Sequence, residues 1–117
     1  MLKILVVDDE KQARDNMIHC INVATNGFEI IGAAADGSEA LEMIRQTQPD
    51  IVLIDIQMPG ISGLDVIAEA RKEDLPVTFI IISSYSEFSF AQEAIRLGVF
   101  EYLLKPFMPA DVCAAVY

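Results

Sequence analysis

Residues 51–55 read Ile-Val-Leu-Ile-Asp, a short run of apolar side chains that ends at a carboxylate. The run is apolar at every position and does not alternate with polar residues, which is typical of a strand covered on both faces, as in a parallel sheet. Comparable runs occupy residues 4–7, 79–82 and 102–104, and a weaker one occupies residues 28–34. The sequence therefore predicts a parallel sheet of five strands.

Helical patterns separate these runs. The first places apolar residues three and four positions apart, which is one face of a helix, at Ala13, Met17, Cys20, Ile21 and Ala24. The second has the same spacing at Ala40, Leu41 and Ile44. Strands that alternate with helices need crossover connections, so the pattern predicts a three-layer α/β sandwich.

Local signals mark where helices begin. Asp36 with Glu39, and Ser62 with Asp65, have the spacing of capping boxes, with Asp replacing the usual Glu in the second pair. Pro109 suits the first turn of a last helix, but only eight residues follow it before the chain ends at residue 117. We expect this helix to be truncated and the gene product to continue.

Composition limits the classes of protein to consider. A chain of 117 residues that is 53% hydrophobic can bury one core, so residues 1–117 are predicted to form one domain. The net charge of −10 opposes binding of nucleic acid or anionic lipid by this chain. No apolar run approaches the roughly 20 residues of a membrane span, and the first residues lack a secretory pattern, so a cytoplasmic location is expected.

The cysteines and the histidine offer no chemistry of their own. Cys20 and Cys113 lack the spacing of a zinc site or a disulfide framework, and both are expected to be reduced helix residues. His19, the only histidine, falls in the first helical pattern and is expected on the helix surface.

Polar residues stand where the four strong apolar runs stop. Asp8 and Asp9 follow the first, Asp55 the third in chain order, Ser83 the fourth and Lys105 the fifth. Parallel strands bring such residues to one edge of the sheet, where open α/β sheets place their ligands. The sequence therefore predicts that these residues share one pocket.

Three carboxylates in one pocket repel one another unless a cation is present. Magnesium suits them, because this hard cation prefers oxygen ligands and water. With charge drawn off by the metal and by Lys105, ionised Asp55 could attack phosphorus and form an acyl phosphate, while the Ser83 hydroxyl donates to a phosphoryl oxygen.

Each residue taken singly has an ordinary explanation. An Asp often caps a turn or a helix, a Ser often ends a strand, and a Lys is usually a solvated surface residue. The hypothesis of a phosphoryl pocket depends on their joint occurrence at successive strand ends.

Three blocks carry a family resemblance. Residues 6–10 (VVDDE), 50–60 (DIVLIDIQMPG) and 102–106 (YLLKP) resemble the signature blocks of response-regulator receiver domains of bacterial two-component systems. The resemblance implies a flavodoxin-like fold with strand order 2-1-3-4-5. It also implies that Asp55 accepts a phosphoryl group from a phosphohistidine of a partner sensor histidine kinase.

The resemblance further implies a role for each matching residue. Asp9, Asp55 and the backbone carbonyl of Gln57 would hold magnesium, and Asp8 would act largely through a metal-bound water. Lys105 would pair with the phosphoryl group and would precede a cis peptide bond to Pro106.

Ser83 and Tyr102 match the family's switch pair. In such a pair the hydroxyl moves toward the phosphoryl group and the aromatic ring turns inward, which alters the surface of the fourth helix and fifth strand. The alternative for Tyr102 is an ordinary strand residue with its hydroxyl in water.

A stretch at residues 85–95 resembles receivers joined to AraC-type helix-turn-helix domains. It implies a DNA-binding output domain beyond residue 117, control of transcription, and a homodimer formed on phosphorylation.

Three other classes of protein share some of these features. A phosphatase of the haloacid-dehalogenase type also uses an aspartyl phosphate, but its general acid would fall at position 57, which is Gln. In a flavin carrier, the acidic strand ends would repel the flavin phosphate. A pseudo-receiver that binds partners without phosphate would not need Asp9, Asp55, Ser83 and Lys105 together.

Overall fold

A computed structural model describes residues 2–24, 28–56, 58, 60–83, 95–99 and 101–104. Strands and helices alternate in these ranges up to the fourth strand. The strands are β1 (Leu2–Val7), β2 (Phe28–Ala34), β3 (Ile51–Ile54), β4 (Thr78–Ser83) and β5 (Glu101–Leu104). The helices that connect β1 to β4 are α1 (Lys11–Ala24), α2 (Gly37–Thr47) and α3 (Gly63–Lys72).

The strands form one five-stranded sheet in the order β2-β1-β3-β4-β5, and each of its neighbouring pairs is parallel. The chain thus has the flavodoxin-like α/β fold with a parallel sheet that the resemblance implied. Strand β3 lies centrally because it is apolar throughout and fully covered, with all four of its residues buried. This order makes β1 and β3 neighbours, with Val7 paired to Ile54 at their carboxyl ends.

Apolar side chains cover both faces of the sheet. Alternate strand residues belong to two clusters, because successive side chains of a strand point to opposite faces. The cluster that includes Met17 of α1 is formed by Ile4, Val6, Met17, Ile51, Leu53, Ile80 and Ile82. The other joins Leu5, Val7, Val52, Ile54, Phe79 and Ile81 to the buried residues of α2 and α3. The three layers predicted from the sequence are therefore present.

The two predicted capping boxes are formed to different extents. In α3 the capping box is complete: the Asp65 amide donates to Ser62 Oγ, and the Ser62 amide donates to Asp65 Oδ2, both at 3.2 Å. In α2 Asp36 accepts from the Glu39 amide at 2.8 Å, but Glu39 Oε1 accepts from the Ala35 amide instead of the Asp36 amide. The first box is therefore only half formed.

Other expectations can be compared with the described residues. Ala40, Leu41 and Ile44 are buried as predicted, and His19 is exposed on α1. None of the helices described here is both long and apolar enough to cross a membrane. The expected last helix, from Pro109, and Cys113 lie outside the described residues.

Arg71 ties the end of α3 to the turn that precedes β5. Its Nε donates to the Leu97 carbonyl, Nη1 to the Val77 carbonyl and Nη2 to the Gly98 carbonyl, each at 3.0 Å. The guanidinium carbon also lies 5.3 Å from the centroid of the Phe79 ring. One planar cation thus holds three backbone acceptors and packs on the core.

We predict that Arg71→Met lowers the free energy of unfolding by about 2–3 kcal/mol, because three carbonyl groups lose a charged donor. Urea unfolding measures this loss, which should appear as a lower midpoint with an unchanged dependence of the free energy on urea concentration. Arg45→Met is the control. Arg45 Nε also donates to a residue at the end of α3, Glu73 Oε1 (2.9 Å), but this pair is exposed to solvent and should contribute little to stability. Equal losses in the two variants would contradict the prediction.

Candidate functional site

The hydrogen-bond ladder of the sheet continues one residue beyond β1 and β3. The Asp55 amide donates to the Val7 carbonyl, and the Asp8 amide donates to the Ala34 carbonyl, both at 3.1 Å. Asp8 and Asp55 are therefore fixed by backbone bonds at the carboxyl edge of adjacent strands. This edge is where open α/β sheets bind their ligands.

Three carboxylates meet at this edge. Asp8, Asp9 and Asp55 each offer one oxygen, and these oxygens all lie within 4.8 Å of one another. Asp8 is fully buried, Asp55 is 8% exposed and Asp9 is exposed to solvent. The carboxylate cluster thus extends from the buried ends of β1 and β3 to the surface.

Asp8 has a structural role as well. Its Oδ1 accepts from the Glu10 amide at 3.0 Å, which closes the turn that leads into α1. Its backbone carbonyl accepts from Arg14 Nη1 at 2.8 Å. Asp8 is therefore both a turn residue and a member of the carboxylate cluster.

The backbone after Asp55 contacts the start of α3. The Gly63 amide donates to the Ile56 carbonyl at 2.7 Å, and Gly63 lies against the peptide that joins Asp55 to Ile56. Neither Gly63 nor Arg14 was predicted from the sequence to be a site residue. Both contact backbone carbonyls, which every residue has, so no side-chain pattern could have identified these two residues.

The remaining predicted residues are described in part or not at all. Ser83 is the last residue of β4 and pairs with Leu104, while Tyr102 of β5 pairs with Ile81. Their backbones are therefore two register positions apart on neighbouring strands, and their side chains are not described. Gln57, Lys105 and Pro106 lie outside the described residues, so their predicted roles remain predictions.

The carboxylate cluster fits a small hard cation. Magnesium binds oxygen ligands at about 2.0–2.1 Å, so opposite ligands of one ion are about 4.2 Å apart. The spread of up to 4.8 Å among the oxygens of Asp8, Asp9 and Asp55 is close to this value. Waters, which magnesium retains readily, can complete the shell on the exposed side of Asp9.

Comparison with known proteins agrees with this geometry. Residues 4–117 match the family described as the response regulator receiver domain. The chain is 43% identical over 106 residues to the uncharacterized transcriptional regulatory protein YesN of Bacillus subtilis, covering 91% of this chain and 29% of YesN. It is 36% identical over 114 residues to the chemotaxis protein CheY of Thermotoga maritima, covering 97% of this chain and 93% of CheY.

A solved structure shows the same fold. The DNA-binding response regulator of the LuxR family from Staphylococcus aureus superimposes with a TM-score of 0.92 at 28% identity, covering 99% of this chain and 96% of that chain. The chain thus spans less than a third of the transcriptional regulator YesN but nearly all of the chemotaxis protein.

We predict that magnesium chloride stabilises the protein, by about 2.7 kcal/mol at a concentration 100 times the dissociation constant. Asp9→Asn should remove this response and should stabilise the metal-free protein, because one of the mutually repelling charges is gone. Asp15→Asn on exposed α1 makes the same charge change away from the cluster and should keep the response. Thermal unfolding with and without magnesium measures both effects.

A magnesium response of equal size in Asp9→Asn and Asp15→Asn would contradict the assignment of the cation to the carboxylate cluster. A chelator should reverse the stabilisation in the unsubstituted protein and leave Asp9→Asn unchanged.

Proposed function

This chain belongs to the response-regulator receiver family, and from that premise we propose that Asp55 accepts a phosphoryl group from a phosphohistidine of a sensor histidine kinase. Receivers are signalling phospho-acceptor domains, so the chain has no independent metabolic substrate. The observation that carries the proposal is the position of Asp55, nearly buried at the carboxyl end of β3 beside Asp8 and Asp9.

The proposed reaction follows from the surroundings of Asp55. A carboxylate oxygen of Asp55 attacks phosphorus, the bond between phosphorus and the imidazole nitrogen breaks, and the electron pair remains on that nitrogen. The Asp55 backbone is held by the Val7 carbonyl and by α3, which limits the positions that the carboxylate can take. Limiting those positions lowers the entropy cost of reaching the transition state.

Receiver domains typically bind magnesium through acidic residues, and the carboxylate cluster fits that ion. Asp9, Asp55 and the Gln57 backbone carbonyl are proposed as its ligands, with Asp8 acting through water. When bound, the ion offsets the negative charge that builds up on the phosphoryl oxygens. The carboxylates of Asp8 and Asp9 would keep the ion beside Asp55, with Asp9 on the solvent-exposed side of the cluster.

Lys105 and Ser83 are proposed to complete the phosphoryl site. Lys105 directly follows β5, and Ser83 ends β4, so the topology brings both strand ends to the edge where Asp55 lies. The Lys105 ammonium would pair with a phosphoryl oxygen and the Ser83 hydroxyl would donate to another. A cis peptide bond before Pro106 belongs to the same proposal.

The proposed output is a change in the surface of the fourth helix and β5. Ser83 would move toward the phosphoryl group, and Tyr102 would turn inward in response. Ser83 and Tyr102 lie on the neighbouring strands β4 and β5, two register positions apart, which supports this pairing. The same pocket is proposed to release phosphate by hydrolysis, which returns the surface to its resting state.

Control of transcription is the output that we propose. The similarity to a transcriptional regulatory protein supports it, and the pattern of residues 85–95 favours an AraC-type output domain. A regulator of the LuxR family shares the fold, so the receiver fold itself does not determine the output class. The proposed partners are a sensor kinase in the cytoplasm, this output domain, and a second copy after phosphorylation.

We predict that acetyl phosphate with magnesium adds the mass of one phosphoryl group to the protein, and that Asp55→Asn abolishes the gain. Intact-protein mass spectrometry measures it. Asp15→Asn, the exposed α1 variant, should gain the same mass at an unchanged rate. A beryllofluoride complex, followed by fluorine resonance, should form in the unsubstituted protein and not in Asp55→Asn.

Absence of any mass gain in the folded, magnesium-loaded protein would contradict the proposed function. A gain that persists in Asp55→Asn would show that another residue is the acceptor.

A further inference from the structure

Gly63, the first residue of α3, lies directly against the backbone of the proposed phospho-acceptor. Its amide donates to the Ile56 carbonyl at 2.7 Å. A Cβ atom on Gly63 would overlap the carbonyl oxygen of Asp55 and would lie 2.9 Å from the Asp55 carbonyl carbon and 3.0 Å from Ile56 Cα. These separations are well below the roughly 3.5–4.0 Å at which nonbonded carbons pack.

Space, and not backbone conformation, requires glycine at this position. Gly60 and Gly98 have positive φ angles, of 79° and 72°, whereas the φ of Gly63 lies outside the left-handed region. All three atoms that a Cβ of Gly63 would meet are backbone atoms of Asp55 and Ile56. No rotation of a side chain can therefore relieve the contact, and the backbone itself would have to move.

The backbone of Asp55 is held at two points, one at its amide and one at its carbonyl group. The Asp55 amide is bonded to the Val7 carbonyl of β1, and the carbonyl side of the residue is packed on Gly63. Because β3 ends at Ile54, strand pairing does not hold the carbonyl group of Asp55. The start of α3 packs against that group instead.

We infer that Gly63 is a positioning residue for Asp55: its lack of a side chain lets α3 hold the Asp55–Ile56 peptide in the place that brings the Asp55 carboxylate to Asp8 and Asp9. This inference rests on the proposed function. A side chain at position 63 would displace the peptide and move the carboxylate out of line for phosphoryl transfer. A displacement of about 1 Å at a reacting group can slow a reaction about 100-fold.

Gly37 offers a matched control. It is the first residue of α2, as Gly63 is of α3, and both are buried. A Cβ on Gly37 would also be too close to its neighbours, 2.8 Å from Cβ and from the carbonyl oxygen of Ile61. The atoms it meets belong to Ile61 and not to Asp55 or Ile56, so Gly37→Ala strains the fold without pushing directly on the acceptor.

The test compares Gly63→Ala with Gly37→Ala in the same full chain. For each variant, urea unfolding gives the stability, and intact-protein mass spectrometry gives the rate of phosphorylation at saturating acetyl phosphate and magnesium. We expect Gly63→Ala to slow phosphorylation about 10- to 100-fold at a temperature where it is fully folded. Gly37→Ala should lose stability but change the rate by less than about 2-fold.

A second variant keeps the inference testable if Gly63→Ala does not fold. Ser62→Ala removes the hydroxyl that caps the first turn of α3 and introduces no overlapping atom. It should slow phosphorylation about 3-fold, because the first turn that holds the Asp55–Ile56 peptide is loosened. An unchanged rate in Ser62→Ala would then overturn the inference.

The outcomes separate this inference from the proposed function. If the unsubstituted protein is phosphorylated on Asp55 and folded Gly63→Ala reacts at the same rate, Gly63 is a packing residue only and the inference fails alone. An equal slowing in Gly37→Ala and Gly63→Ala would also overturn it, because the effect would then follow general strain. If the unsubstituted protein is not phosphorylated at all, both proposals fail.

Discussion

The hydrogen bond from the Asp55 amide to the Val7 carbonyl is the constraint on which the site depends. It extends the pairing of β1 and β3 by one residue, past the last apolar position of β3, and so sets Asp55 beside Asp8. Were β1 and β3 not neighbours, these carboxylates would lie at separate points along the sheet edge. The strand order therefore creates the concentration of charge on which a cation site depends.

The same constraint has an energetic cost. Asp8 is fully buried and Asp55 nearly so, and buried carboxylates that face one another oppose folding unless they find hydrogen bonds or a cation. The Glu10 amide donates to one oxygen of Asp8, and the apolar clusters on both faces of the sheet supply stability that offsets the cost of bringing the carboxylates together. Functional sites commonly retain such destabilising features, because removing them would cost activity.

The strands could be predicted from the sequence because burial determines their composition. Residues 51–54 were expected as a strand and form β3 with the same bounds, since every position is buried. Strand β1 begins two residues earlier than the apolar run, at exposed Leu2, because pairing with β2 continues beyond the buried part. The sheet order required the family resemblance, since spacing along a chain does not determine which strands pair.

The site could be predicted only as far as it consists of side chains at strand ends. Asp8, Asp9 and Asp55 were expected together and lie together, because parallel strands share one carboxyl edge. Contacts made to backbone carbonyls were not foreseen: Arg14 binds the carbonyl of Asp8, and Gly63 packs on that of Asp55. A backbone carbonyl is present in every residue, so the sequence does not indicate which carbonyl a side chain or a glycine will contact.

Helix α3 contacts the proposed acceptor, Asp55, at one end and the turn that precedes β5 at the other. Gly63 packs on the Asp55–Ile56 peptide, and Arg71 holds the carbonyls of Leu97 and Gly98. A contact path transmits a switch only where one of its members has a second arrangement. Backbone packing at Gly63 and the bonds of the Arg71 fork fix both ends of α3 in this structure. We therefore regard α3 as a fixed reference, and the proposed rearrangement falls on Ser83 and Tyr102, at the edge of the sheet formed by β4 and β5.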